Sequence, residues 1–154
     1  MKKLISICLT LLIIPTFFAC SNPVKDYETN EKSNYMTDET FKGGKDTDAT
    51  SIRKIWINDL IGDTKIIMDF DETDKIPTHT ISYSKNEKQI KISFDNVNVE
   101  TARISDYKNN KIIKKIEAKN QEGNKSEVIV TLNKAIKYRT DETIDSSQLV
   151  LNLR

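Results

Sequence analysis

Gln89-Ile90-Lys91-Ile92-Ser93-Phe94 alternates polar and apolar residues one for one. A period of two is the pattern of a strand with one face buried and the other wet. The alternation returns at Ile66, Met68 and Phe70, at Val128, Val130 and Leu132, and at Leu149, Leu151 and Leu153. Each run is short, rich in branched residues and bounded by turn-forming pairs: Gly62-Asp63, Asn86-Glu87, Asn109-Asn110, Gly123-Asn124 and Asp145-Ser146. Regularly spaced strands of this kind predict an all-β fold, a two-sheet sandwich or a barrel, over residues 51–154. No stretch of that region reads as a helix.

The two halves of this region echo each other. Ile52-Arg53-Lys54-Ile55 returns as Ile113-Lys114-Lys115-Ile116, offset by 61 residues. Ile66-Ile67-Met68-Asp69-Phe70 lines up with Val128-Ile129-Val130-Thr131-Leu132, offset by 62. Gln89 to Phe94 lines up with Gln148-Leu149-Val150-Leu151-Asn152-Leu153, offset by 59. The drift is small enough to fall in turns. A duplication predicts two similar β-meanders packed face to face, each supplying one sheet.

Upstream the composition changes. Residues 21–50 are polar and nearly free of aliphatics, ending near Gly43-Gly44. Such a segment buries too little to offset its ordering entropy, so residues 20–50 are read as an anchor point and a flexible linker. A flexible chain of roughly 30 residues has an end-to-end distance of about 30 Å. Tyr27, Tyr35, Met36 and Phe41 are either a short binding motif or scattered residues of a solvated linker; the second reading is the simpler.

Further upstream, Lys2 and Lys3 precede an apolar run from Leu4 to Phe18, and Ala19 then precedes Cys20. This is the layout of a secretory signal, here a signal helix over residues 1–19. The run is shorter than the roughly 20 residues that span a bilayer. Phe17-Phe18-Ala19-Cys20 resembles the lipobox of bacterial lipoproteins. That resemblance implies removal of the leader, lipidation of Cys20 with diacylglycerol and a further acyl chain such as palmitate, and export on a membrane anchor. Two or three acyl chains hold a protein stably where one does not. Ordinary cleavage with Cys20 left unmodified is the alternative.

Lys and Arg number 24 against 23 Asp and Glu, with no block of like charge, so the chain lacks the basic footprint of a nucleic-acid binder. Cys8 lies in the leader and Cys20 at its end, so an exported body has no disulfide and depends on apolar burial and strand pairing.

Thr64-Lys65-Ile66-Ile67-Met68-Asp69-Phe70, Ile76-Pro77 and Gln89 to Phe94 resemble the AMIN domain, as do Val128 to Leu132, Lys134-Ala135-Ile136-Lys137-Tyr138-Arg139 and Leu149 to Leu153. The resemblance covers about residues 51–154. It implies a β-sandwich of two similar sheets that binds peptidoglycan or an envelope assembly on the periplasmic or wall-facing side. The arginine usual before the first aliphatic strand of that family is replaced by Lys65 in one half and Glu127 in the other.

Candidate chemistry is sparse. Asp69 and Asp71, with Glu72 and Asp74 nearby, fail the EF-hand pattern and read as a solvated polar face. His79 is the single histidine, with no cysteine left in the body to complete a zinc set and no nucleophile elbow for a hydrolase. No phosphate loop or dinucleotide fingerprint is present, and no catalytic residue, metal or cofactor is expected. Trp56 falls level with Glu117, on the outward side of its strand, where a large ring stacks on a sugar, anchors a partner or covers an edge. Tyr138 and Arg139, with Lys65 and Lys137, are candidates to contact carboxylates of a peptide stem or another anionic polymer. The reading that results is a lipid-anchored, non-catalytic binder of peptidoglycan or of an envelope protein. Its rivals are an adaptor, chaperone or adhesin that binds a protein through a strand edge, and a hydrolase built on His79.

Overall fold

The computed structural model describes residues 35–37, 40–71, 73–143 and 147–154. The signal peptide, Cys20, Tyr27, Glu72 and the Asp145-Ser146 turn lie outside the described residues.

The alternating runs form strands whose apolar positions face one shared core. Eleven strands are described: β1 (Phe41–Gly43), β2 (Thr50–Asp59), β3 (Thr64–Phe70), β4 (His79–Ser84), β5 (Gln89–Asp95), β6 (Val97–Asn98), β7 (Arg103–Ile104), β8 (Ile113–Gln121), β9 (Lys125–Leu132), β10 (Tyr138–Thr143) and β11 (Gln148–Leu153). No helix occurs among the described residues. One sheet has the order β1-β4-β5-β9-β8 and the other β10-β11-β3-β2-β6, with β7 also on β2. Ile66, Met68, Ile90, Ile92, Val128, Val130, Leu149 and Leu151 are all completely buried. The sheets meet through such side chains: Phe70 of β3 stands edge-on to Phe94 of β5, and Tyr83 of β4 edge-on to Tyr138 of β10.

The duplication is present, but its halves are not arranged as one sheet each. The first half places β2–β3 in the six-stranded sheet and β4–β5 in the five-stranded one; the second places β8–β9 and β10–β11 the other way round. The order β10-β11-β3-β2 therefore becomes β4-β5-β9-β8 when the halves are exchanged. Register follows: Leu151 pairs with Ile66 as Ile92 pairs with Val128. Even the irregularities match, because β2 shifts register between Ile52 and Lys54 and β8 between Ile113 and Lys115. Alternation fixes which face of a hairpin is buried, but not which sheet it joins.

Two connecting segments close the long sides. On one side, Met36 exchanges backbone bonds with Tyr138 (2.7 and 3.1 Å), β1 pairs with β4, and Lys45 bridges to Pro77. Described structure, β1 included, therefore falls within the stretch expected to be linker up to Thr50. This three-residue strand draws its order from the edge it completes, with Phe41 packed against the core. On the other side, the link between the halves runs along β2 as β6 and β7 and reaches β8, where the Tyr107 hydroxyl accepts from the Ile116 amide (3.3 Å) and the Asn120 side-chain oxygen accepts from the Val99 amide (3.0 Å).

Gly44 holds the first strap in place with a positive φ of 82°, and a Cβ there would collide with the Pro77 carbonyl. Gly44→Ala is expected to release β1, cost roughly 1–3 kcal/mol of stability and speed amide exchange across His79–Ile81. Unchanged exchange in those residues would show that the strap is held by other contacts.

Candidate functional site

Outward positions of the six-stranded sheet form cross-strand rows. The central row is Trp56, Ile67, Val150 and Asp141, from β2 through β3 and β11 to β10. Trp56 is 38% exposed, and Ile67 and Val150 are half-buried on this outer face. The neighbouring row runs Asn58, Lys65, Asn152 and Arg139. Sheet geometry puts Lys65 diagonally about 7–8 Å from Trp56, and Arg139 two strands, roughly 10 Å, beyond Lys65. Three of the residues singled out from sequence therefore share one face.

Tyr138 does not join them. It is fully buried, with its ring against Tyr83. Neighbours along a strand point to opposite faces, so Tyr138 and Arg139 cannot both reach one surface ligand. Arg139 itself is engaged locally: Nη2 donates to Asp141 Oδ2 at 3.1 Å, and the guanidinium lies 5.7 Å from the Tyr35 ring centroid.

The acidic positions are also more structured than a solvated face. Asp69 is buried, and its Oδ2 accepts from Arg53 Nε (3.2 Å) and Nη2 (2.5 Å). Asp71 Oδ1 adds a second carboxylate 3.6 Å from Arg53 Nε. The hydrogen bond and the charge of Asp69 raise the Arg53 pKa above its ordinary value. Beside this pair, Lys54 Nζ sits 4.7 Å from the Trp56 ring centroid and orders the indole. The result is an open platform of aromatic and aliphatic surface with cations on two sides. It suits stacking and hydrogen bonding.

The equivalent face of the other sheet is an internal control. Trp56, Ile67 and Val150 correspond to Glu117, Ile129 and Lys91, which form one row there. Lys65 corresponds to Glu127, a buried carboxylate between Lys91 (3.4 Å) and Lys119 (3.2 Å). The duplicated scaffold accepts charge where the six-stranded sheet shows Trp56 and Val150.

A second hollow, of about 370 Å³, is lined by amides that sequence reasoning did not single out, among them Asn96, Asn98, Asn120, Gln121 and Asn124. Their features have structural work. Asn96 and Asn124 take positive φ of 58° and 57°, Asn120 bonds Asn98 and Val99, and Gln121 bonds Glu127. The amides thus shape turns before they meet any ligand. Among the described residues, no group of three or more His, Cys, Asp or Glu side chains is placed to hold a metal.

His79 is 1% exposed, enclosed by Phe41 and Phe94, whose ring centroids are 5.9 and 6.1 Å away. Its Nδ1 lies 2.8 Å from the Pro77 carbonyl, so the proton belongs on Nδ1; Nε2 has no hydrogen-bond partner and stands 3.7 Å from Glu142 Oε1. Glu142 comes from β10 in the other sheet and also accepts from the Gly44 amide at 3.0 Å. No protein-family model, curated protein or solved structure matches the chain.

Burial lowers the His79 pKa from its ordinary 6.5, and the Pro77 carbonyl and the Glu142 carboxylate oppose this only in part. The unfolded chain then binds this proton more readily than the folded one. Stability supplied by neutral His79 is present in full above about pH 6.5 and is lost as the pH falls through the lowered folded value, with a slope of at most about 1.4 kcal/mol per pH unit. Thermal melting at stepped pH is expected to show this acid-side loss in the natural protein. In His79→Gln that component disappears, and identical pH profiles for the two proteins would refute the assignment.

Proposed function

We propose that the chain is an exported, lipid-anchored envelope protein whose sandwich binds peptidoglycan, or an assembly embedded in it, without catalysis. The observation that carries this reading is the Trp56–Ile67–Val150 row, apolar on an outward face where the duplicated sheet has Glu117 and Lys91. An indole beside aliphatic side chains offers a flat surface to the apolar face of a sugar ring. Lys54 and Lys65 flank it with donors for hydroxyls and peptide carboxylates. The signal-like N-terminus with Cys20, and the AMIN-like strands, support the same placement.

Strand-edge capture of a protein partner draws less support. The chain's own connections lie along β2, β4 and the start of β10, and β8 carries Lys114, Lys115 and Lys119, which blunt an edge against pairing.

The purified protein is expected to co-sediment with cell-wall sacculi and to remain bound at high salt. Trp56→Ala should weaken that binding roughly tenfold, as loss of a central aromatic contact does. Pelleting that vanishes at moderate salt would mean charge adhesion alone. Protein that stays in the supernatant throughout would turn the search to protein partners.

A further inference from the structure

The turn between β2 and β3 reads Leu60-Ile61-Gly62-Asp63, and its duplicate between β8 and β9 reads Gln121-Glu122-Gly123-Asn124. Both depend on glycine at positive φ, 94° at Gly62 and 73° at Gly123. The turns differ by one residue in length, four lying between paired Asp59 and Thr64 and five between paired Asn120 and Ser126. In each the glycine takes the left-handed conformation and the two positions before it do not. The second half fills them with Gln and Glu. The first half fills them with Leu60, half-exposed, and Ile61, fully exposed, so the local backbone does not explain the aliphatic tip. Adjacent aliphatic side chains projecting from a convex hairpin are the kind of surface that marks a contact site.

The surroundings of the tip are cationic. Lys111 and Lys134 line the hollow of about 400 Å³ beside Leu60 and Ile61. Lys85, Lys137 and Arg154 line another at the same end of the sandwich. That these groups share one end follows from the pairing: Thr64, beside the tip, is level with Leu153, which is level with Tyr138, and the Tyr83 hydroxyl of β4 accepts from the Ile136 amide at 3.0 Å. None of the four lysines makes an ion pair among the described residues. Among the described acids, Asp59 accepts from Thr64 and Asn110, Asp63 faces Arg154 at 3.8 Å, and Glu87 lies in the β4–β5 turn. The first described residues also lie here, with Tyr35 lining the second of these hollows and Met36 bridged to Tyr138.

We infer that this end of the sandwich is a membrane-docking surface, with Leu60 and Ile61 entering the headgroup–acyl boundary of a bilayer and the lysines meeting anionic headgroups. The cations are spread across a whole end of the domain around a projecting apolar tip. That arrangement is complementary to a broad negative plane, where apolar insertion and charge act together. The inference goes beyond the wall-binding reading: it uses the end of the sandwich and not the Trp56 face, and needs no lipid on Cys20.

The test uses the full chain in vesicles and reads one local position. In a Trp56→Phe background, Ile61→Trp places the sole tryptophan at the tip, and Glu122→Trp places it on the duplicate turn at the opposite end. Each protein is reconstituted into phosphatidylcholine vesicles with and without phosphatidylglycerol, carrying acyl-chain brominated lipid as quencher. Ile61→Trp is expected to shift to the blue and to be quenched several-fold more than Glu122→Trp, with the difference growing on addition of phosphatidylglycerol and shrinking in high salt. Leu60→Trp repeats the reading from the neighbouring position should Ile61→Trp disturb the turn. Equal quenching at the two ends overturns the docking surface. Quenching at the tip that ignores phosphatidylglycerol overturns its anionic character. Sacculus binding by the natural protein is independent of both outcomes.

Discussion

The structure depends on two strand pairs that join the halves of the chain, β3 with β11 and β5 with β9. Neither half makes a sheet alone. Each supplies a hairpin to either side of the core, and the inner strands find their partners far along the chain, 79–89 residues away for β3 with β11 and 30–42 for β5 with β9. The closure entropy of those pairings is met before the core rewards it. Once they form, the interleaving makes the fold cooperative: removing the second half strips two strands from each sheet and leaves Tyr83 without Tyr138.

That arrangement separates what the scaffold requires from what is optional. Required positions are apolar in both copies: Ile66 with Val128, Met68 with Val130, Ile90 with Leu149. The bulge is required too, since it recurs at Ile52–Lys54 and Ile113–Lys115. Optional positions diverge. Trp56 stands against Glu117, Leu60-Ile61 against Gln121-Glu122, and buried His79 against buried Tyr138. His79 and Tyr138 fill equivalent inward places, and the difference between them is a titratable nitrogen that faces Glu142 across the sheets.

The strands, their inward residues and their repetition were legible in the sequence because burial of one face writes a period of two that a single residue's slip would destroy. The same rule, applied to Tyr138-Arg139, would have sent the tyrosine inward at once. The exchange of hairpins between sheets was not legible, since alternation reports burial without naming the surface that provides it. Nor was β1 legible: Phe41–Gly43 sits in a polar stretch and owes its order to the edge of β4, a tertiary cause with no local signature. Trp56 was placed on an outward side by alignment of the halves, whereas Leu60 and Ile61 became conspicuous only with their duplicate turn in view.

Edge protection explains where the divergence is concentrated. A sandwich has four outer edges, and each is a template for unwanted pairing until it is covered or charged. Here the N-terminal strap lies along β4 and reaches β10 at Met36, the link between the halves lies along β2, and lysines blunt β8. The backbone groups that most readily recruit a partner strand are thereby largely occupied. That leaves the outer faces and the turns, whose side chains change without disturbing a ladder. The Trp56 row and the Leu60–Ile61 tip are such places, one on a face and one at an end. The row crosses four strands and the tip is a single turn, so either set of side chains changes without disturbing the other.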